Sequence, residues 1–204
     1  MKKNITLGLG ILTWLGMILL FNIGLFKYEK MSGRQIPAPS KWPAESALKL
    51  ASPLSTLVMF AHPKCPCMRA SVGELERLMA QLNGKLHVYV VMLVPTGFSS
   101  DWAKTDIYET LRHIPGVTVF FDHNGTETSR FGALTAGFTV LYGPDGFLLF
   151  DGGITVGRGH SGINPGILAI KQQLEQRELF LVRKFSVFGC SLVTPETAKR
   201  LTTK

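Results

Sequence analysis

The stretch that decides the reading is Leu54-Ser-Thr-Leu-Val-Met-Phe-Ala-His-Pro-Lys-Cys-Pro-Cys67. Leu54 to Ala61 is a short apolar run bounded by Pro53 and Pro63, the pattern of a buried strand. It runs into His62, Pro63 and Lys64, and then into two cysteines separated by Pro66 alone. A helix follows over Arg69 to Leu82, because Val72, Leu75, Leu78, Met79 and Leu82 recur at helical spacing, and Asn83-Gly84 supplies a stop. The cysteines therefore sit where a strand ends and a helix begins. A helix N-terminus carries about half a positive charge and favours thiolate over thiol. Lys64 and Arg69 add positive charge nearby, and prolines at a helix start predict an exposed pair. Cys65 is the candidate nucleophile and Cys67 the candidate resolving thiol.

Working outward, Leu86 to Val94 is a second strand, stopped by Pro95. Ser99 to His113 reads as a helix with Ser99, Ser100 or Asp101 as cap. Val117 to Phe121 is a third strand and Thr126 to Phe131 a short helix. Phe138 to Tyr142 and Phe147 to Phe150 flank Gly143-Pro144-Asp145-Gly146, which has Pro and Gly at turn positions and predicts a hairpin. Asn164-Pro165 opens a last helix, Asn as cap and Pro in first place, running to about Lys184. Strands separated by helices pair in parallel through right-handed crossovers, and the hairpin adds an antiparallel edge. The expectation is an α/β domain with a mixed sheet flanked by helices.

A strand followed by a Pro-containing cysteine pair at a helix N-terminus resembles the thioredoxin superfamily. The later stretch from Phe120 to Gly153, with FFDHNG, RFG and GFTVLYGPDGFLLFDGG, resembles its membrane-anchored, periplasm-facing members and the related peroxiredoxins. The resemblance covers about Leu54 to Leu181 and implies a thioredoxin-like fold acting on protein thiols and disulfides. The chain departs from the family pattern in two places. Two residues usually separate the cysteines, whereas here Pro66 is alone. A disulfide across one residue closes a small, strained ring that is more easily reduced. The family's cis-proline, which faces the cysteines, falls near Ala136-Gly137-Phe138, where there is no proline. Its absence, centred on Gly137, weakens substrate recognition and eases metal binding. The peroxiredoxin signature has Thr three positions before its cysteine; His62 stands there instead, against a peroxidase.

In this topology the loop Gly152 to Gly162 (GGITVGRGHSG) ends beside the cysteines and brings Arg158 and His160. His160 is then an acid/base for thiol exchange. Alternatively Cys65 and Cys67 with His160 or His62 suit Cu(I) or zinc, which makes a copper-binding or metal-transfer module the second function class. A non-catalytic thioredoxin-like binding module is the third. Cys190 depends on where the last helix stops. A helix to Lys184 carries the chain about 30 Å away, whereas a stop near Arg177 lets extended residues return and opens a third-thiol role for Cys190. The longer helix is preferred, with Cys190 buried and inert.

The chain is 46% hydrophobic and 18% charged, which excludes long disorder, and three cysteines exclude a disulfide-dense scaffold. Ile5 to Phe26 holds no charge over 22 positions. As a helix it reaches about 33 Å, enough for a bilayer core of about 30 Å. The run is longer than a signal-peptide core, and no small-x-small cleavage site follows it. The net charge of +8 gathers around it, with six Lys or Arg and one Glu up to Lys41. The basic cluster therefore points to anionic headgroups, and nucleic acid loses its warrant. The chain divides into an anchor (1–27), a proline-rich juxtamembrane linker (28–53), the thioredoxin-like domain (54–184) and a C-terminal tail (185–204). The whole reads as a single-pass thiol-disulfide oxidoreductase of a bacterial inner membrane with no cofactor. Its domain faces the periplasm or exterior, where disulfides persist, and its partner is a protein thiol or disulfide.

Overall fold

The computed structural model describes residues 2–82, 84–176 and 183–202. Helix α1 (Lys2–Lys30) is followed by β1 (Ser55–Ala61), α2 (Met68–Leu82), β2 (Leu86–Val94), a 3₁₀ turn (Ser100–Ala103) and α3 (Asp106–Leu111). Then come β3 (Val117–His123), α4 (Thr126–Arg130), β4 (Thr139–Tyr142), β5 (Leu148–Gly152), α5 (Pro165–Gln176), β6 (Arg183–Lys184) and α6 (Pro195–Thr202). One sheet holds the six strands in the order β3-β2-β1-β4-β5-β6. β1, β2 and β3 run parallel, β4 is antiparallel to β1, and β5 is antiparallel to β4.

β1 is central, and Leu57 through Ala61 are fully buried on both faces, as expected of a strand covered by helices on both sides. Val72, Leu75 and Leu78 of α2 pack on it, each buried side chain contributing about 1.5–3 kcal/mol. Phe60, Phe131, Tyr142 and Trp42 form a chain of ring contacts 5.2–6.0 Å apart, mostly edge to face. The proline-rich stretch before β1 is bound along this core: Tyr142 donates its hydroxyl to Pro39 O (2.8 Å), Asp151 accepts from Ala38 N (3.2 Å), and Trp42 N donates to Gly146 O (2.8 Å).

Three expectations change. The segment from Ser99 to His113 is two short helices, because Thr105 is drawn extended (φ −102°, ψ −179°) by a hydrogen bond from its hydroxyl to Pro63 O (2.9 Å). The last domain helix does not reach Lys184. Arg183 and Lys184 lie in β6, paired in parallel with Phe150 and Asp151, and the Phe185 ring stacks on Phe150 at 5.6 Å. From Phe185 to Gly189 the burial pattern is strand-like, and strand period wins over helix. The hairpin is consequently not the sheet edge, since β6 lies outside β5. The expected stop residue Asn83, and helix residues 177–182, lie outside the described residues.

Helix α1 is apolar over Ile5–Lys30, long enough to cross a membrane, and none of its apolar window is buried in the protein. Its large side chains, Leu20 and Phe21 among them, stand in the open. A sleeve of that size on a water-facing helix would be an aggregation site.

Candidate thiol site

The site grows from the end of β1. Cys65 N donates to His62 O (3.1 Å), and Met68 N, Arg69 N and Ala70 N donate back to Cys65, Pro66 and Cys67 carbonyls (3.0–3.4 Å). The two cysteines thus occupy the turn that leads into α2. Cys65 is 1% exposed and Cys67 half-buried. The expected exposure holds only for the second, because other chain segments close over the first.

Two distant segments do so. The loop Ala136-Gly137 is fixed to β1 by Gly137 N donating to Phe60 O (2.7 Å). Gly137 has φ +87°, and an added Cβ would lie 3.2 Å from Ser71 Oγ, so a side chain there is strained and crowded. The second segment carries Cys190, which with Cys67 packs against the buried cluster that includes Cys65. The preferred placement of Cys190, remote from the cysteine pair, is overturned. The described part of α5 ends at Gln176, and the extended residues after β6 return to the cysteines.

Arg158 completes the cluster. Its Nη1 donates to Gly189 O (2.6 Å), its Nε donates to Met31 O (3.2 Å), and its guanidinium lies over the Tyr28 ring at 5.1 Å. Its positive charge also acts on the Cys67 thiol. Burial, then the adjacent Cys65, pushes the Cys67 thiol above its ordinary value, and Arg158 pulls it part of the way back. Burial and the neighbouring Cys65 push the Cys190 thiol up to about 12.

The other predicted residues are engaged elsewhere. Lys64 Nζ lies over the Trp102 ring at 4.3 Å, and Arg69 holds Asp106 through Nε and Nη2 (3.0 and 2.7 Å). His62 Nδ1 accepts from Lys64 N (3.2 Å), and burial, then Lys64, lowers its pKa. His160 Nε2 faces Glu29 Oε2 at 3.3 Å, turned to the end of α1. The predicted loop does arrive at the thiols, but Arg158 makes the contact. Among the described residues no three His, Cys, Asp or Glu side chains are grouped to hold a metal ion. A cleft of about 160 Å³ between Pro66 and Ile107, rimmed by Lys64, Arg69, Thr105 and Asp106, opens beside Cys65.

Sequence reasoning preferred the wrong place for Cys190 and missed the contacts of Tyr28, Glu29 and Met31. The signal for Cys190 was the apolar alternation of Phe185 and Val187 leading to Gly189-Cys190.

No family model and no curated protein matches the chain. Among solved structures it is similar to a conserved protein of Geobacillus kaustophilus, with TM-score 0.59 and 16% identity over 81% of this chain and 94% of that one. A hypothetical protein of Sinorhizobium meliloti gives 0.58 and 16% over 79% and 93%. The exposed lipoprotein thioredoxin Etrx1 of Streptococcus pneumoniae superposes more loosely, at 0.44 and 17% over 60% and 84%. With the central β1, the parallel β1-β2 pair, the antiparallel β4-β5 hairpin and the helices over the sheet, the fold is thioredoxin-like.

Proposed function

We propose that this chain is a membrane-anchored thiol-disulfide oxidoreductase. Cys65 sulfur attacks a disulfide of a partner protein, one partner sulfur leaves as thiol, and a mixed disulfide forms. Cys67 then attacks Cys65 sulfur, the partner's second thiol leaves, and the chain holds a Cys65–Cys67 disulfide while the partner is reduced by two electrons. The same steps reversed oxidise a partner dithiol, the direction favoured by a strained one-residue ring. The single observation behind this reading is the gathering of Cys67 and Cys190 against the cluster that buries Cys65 at the start of α2. Helix α1 supports anchoring in a bacterial inner membrane with the domain on the oxidising side.

The test is a redox titration of the full chain in detergent micelles against reduced and oxidised glutathione, read by thiol alkylation and mass. A reversible two-electron couple is expected, lost in Cys65→Ser. Thiols that stay reduced at every ratio overturn the assignment.

A further inference from the structure

We propose that Cys190 is a third redox thiol, carried on a C-terminal arm that closes over Cys65, and that the site's disulfide passes between Cys65–Cys67 and Cys65–Cys190. This rests on the reading of Cys65 as the nucleophile.

The arm is a built element. Ala136 N donates to Cys190 O (2.8 Å) and Leu192 N to Leu134 O (2.9 Å), with an antiparallel bridge between Thr135 and Ser191. Val187 and Leu192 bury their side chains on either side of Cys190. Gly189 lets the backbones close, because a Cβ there would stand 2.0 Å from Ala136 O, and Arg158 clamps its carbonyl. Side chains alternate along an extended segment. Ser191 is exposed, and the preceding Cys190 packs against the buried cluster that contains Cys65. Cys65 is the shared neighbour of both other thiols, as exchange requires of the central sulfur.

The step balances internally. Cys190, as thiolate, attacks Cys65 sulfur of the Cys65–Cys67 disulfide. The Cys65–Cys190 bond forms as the Cys65–Cys67 bond breaks, and Cys67 leaves as thiolate and takes up the proton that Cys190 released. Nothing is oxidised or reduced overall. Arg158 stands beside the leaving Cys67 sulfur. Relief of the small ring around Pro66, whose φ is fixed, drives the exchange forward. A disulfide to Cys190 has no such ring. It also locks the arm over Cys65 and leaves Cys67 as the free thiol, so partner exchange requires the arm to lift.

The experiment uses the full chain in micelles across a reduced-to-oxidised glutathione series, quenched in acid, alkylated with N-ethylmaleimide and digested with trypsin. Cleavage after Lys64, Arg69, Lys184 and Lys199 places Cys65 and Cys67 on one peptide and Cys190 on another. The expected product in the wild type is the cross-link of these peptides with the label on Cys67. In Cys67→Ser the cross-link becomes the main disulfide and titrates as a two-electron couple. Cys190 labelled at every ratio while Cys65–Cys67 titrates normally overturns the relay and leaves the oxidoreductase reading standing. Cys65 trapped with glutathione in Cys67→Ser, with Cys190 still free, also overturns it. All three cysteines labelled throughout overturns both readings. Wild-type peptide mapping decides without relying on any variant's folding.

Discussion

Cys65 has two unlike flanks. On the α3 side its neighbours are charged and exposed: Arg69 and Asp106 are each more than 60% exposed in their side chains, and Lys64 is spent on the Trp102 ring. On the other side lie a half-buried guanidinium, two half-buried thiols and a backbone ladder from residues far away in sequence. The near flank holds the charges adjacent in sequence, and they neutralise one another in solvent, where such pairs have little effect. The far flank holds Arg158, half-buried, whose hydrogen bonds tie Gly189 to Met31 at the anchor end and whose charge acts on Cys67. Proximity in sequence thus ranks the cations in the wrong order.

Arg158→Ala breaks this contrast most strongly. It removes two backbone hydrogen bonds from a charged donor, the one to Gly189 O part-buried and the one to Met31 O exposed; the part-buried bond alone contributes about 1.5–3 kcal/mol, so a loss of about 1.5–3 kcal/mol is expected by denaturant unfolding in micelles. The Cys67 thiol, held down in part by Arg158, rises further, and its alkylation profile moves to higher pH. Arg158→Lys does not restore the fork, because an ammonium cannot span both carbonyls. The folded thiol values of Cys67 and Cys190 are raised, so their contribution to stability is complete below the unfolded value near 9 and is lost as pH rises, toward about 12 for Cys190. An Arg158→Ala protein with wild-type stability and an unmoved Cys67 profile would erase the distinction between the flanks.

The legible parts of the molecule are those set by local pattern. The apolar run of β1, the 3.6-residue repeat of α2 and the cysteines between them follow from neighbours in sequence, and so does the Gly143–Gly146 turn. The rest depends on contacts that no window contains. The helix from Ser99 breaks because Thr105 finds Pro63, about forty positions earlier. Cys190 was readable only through the end of α5, where helical pattern and strand alternation compete over a few residues. The loop bearing Arg158 and His160 was placed correctly, but which side chain faces the thiols is decided by the end of α1, where Glu29 takes the histidine and Met31 and Tyr28 take the arginine.

His62, at the border of the flanks, gives an intermediate effect. Its neutral ring accepts from Lys64 N, and burial with the Lys64 charge holds its pKa below 6.5. A depressed folded value means stability present above pH 6.5 and lost as pH falls through the folded pKa. Between pH 7 and 5 the wild type is expected to lose about 0.5–1.5 kcal/mol, the net contribution of one hydrogen bond, relative to His62→Gln, whose amide accepts without titrating. Parallel unfolding curves for the two proteins across that range contradict the assignment.

Arg69→Ala gives the smallest effect and isolates the near flank. Arg69 hydrogen-bonds the Asp106 carboxylate and holds its pKa below the usual range, yet both groups lie in water. Removing the guanidinium returns Asp106 to ordinary titration near pH 4 without exposing any buried group. The unfolding midpoint at pH 7 is expected to coincide with the wild type, and the alkylation profiles of the three cysteines to superpose. A shifted Cys65 profile would mean that Arg69 senses the thiols across the cleft. The charge nearest in sequence would then act after all, and Arg158 would hold the arm without setting the chemistry.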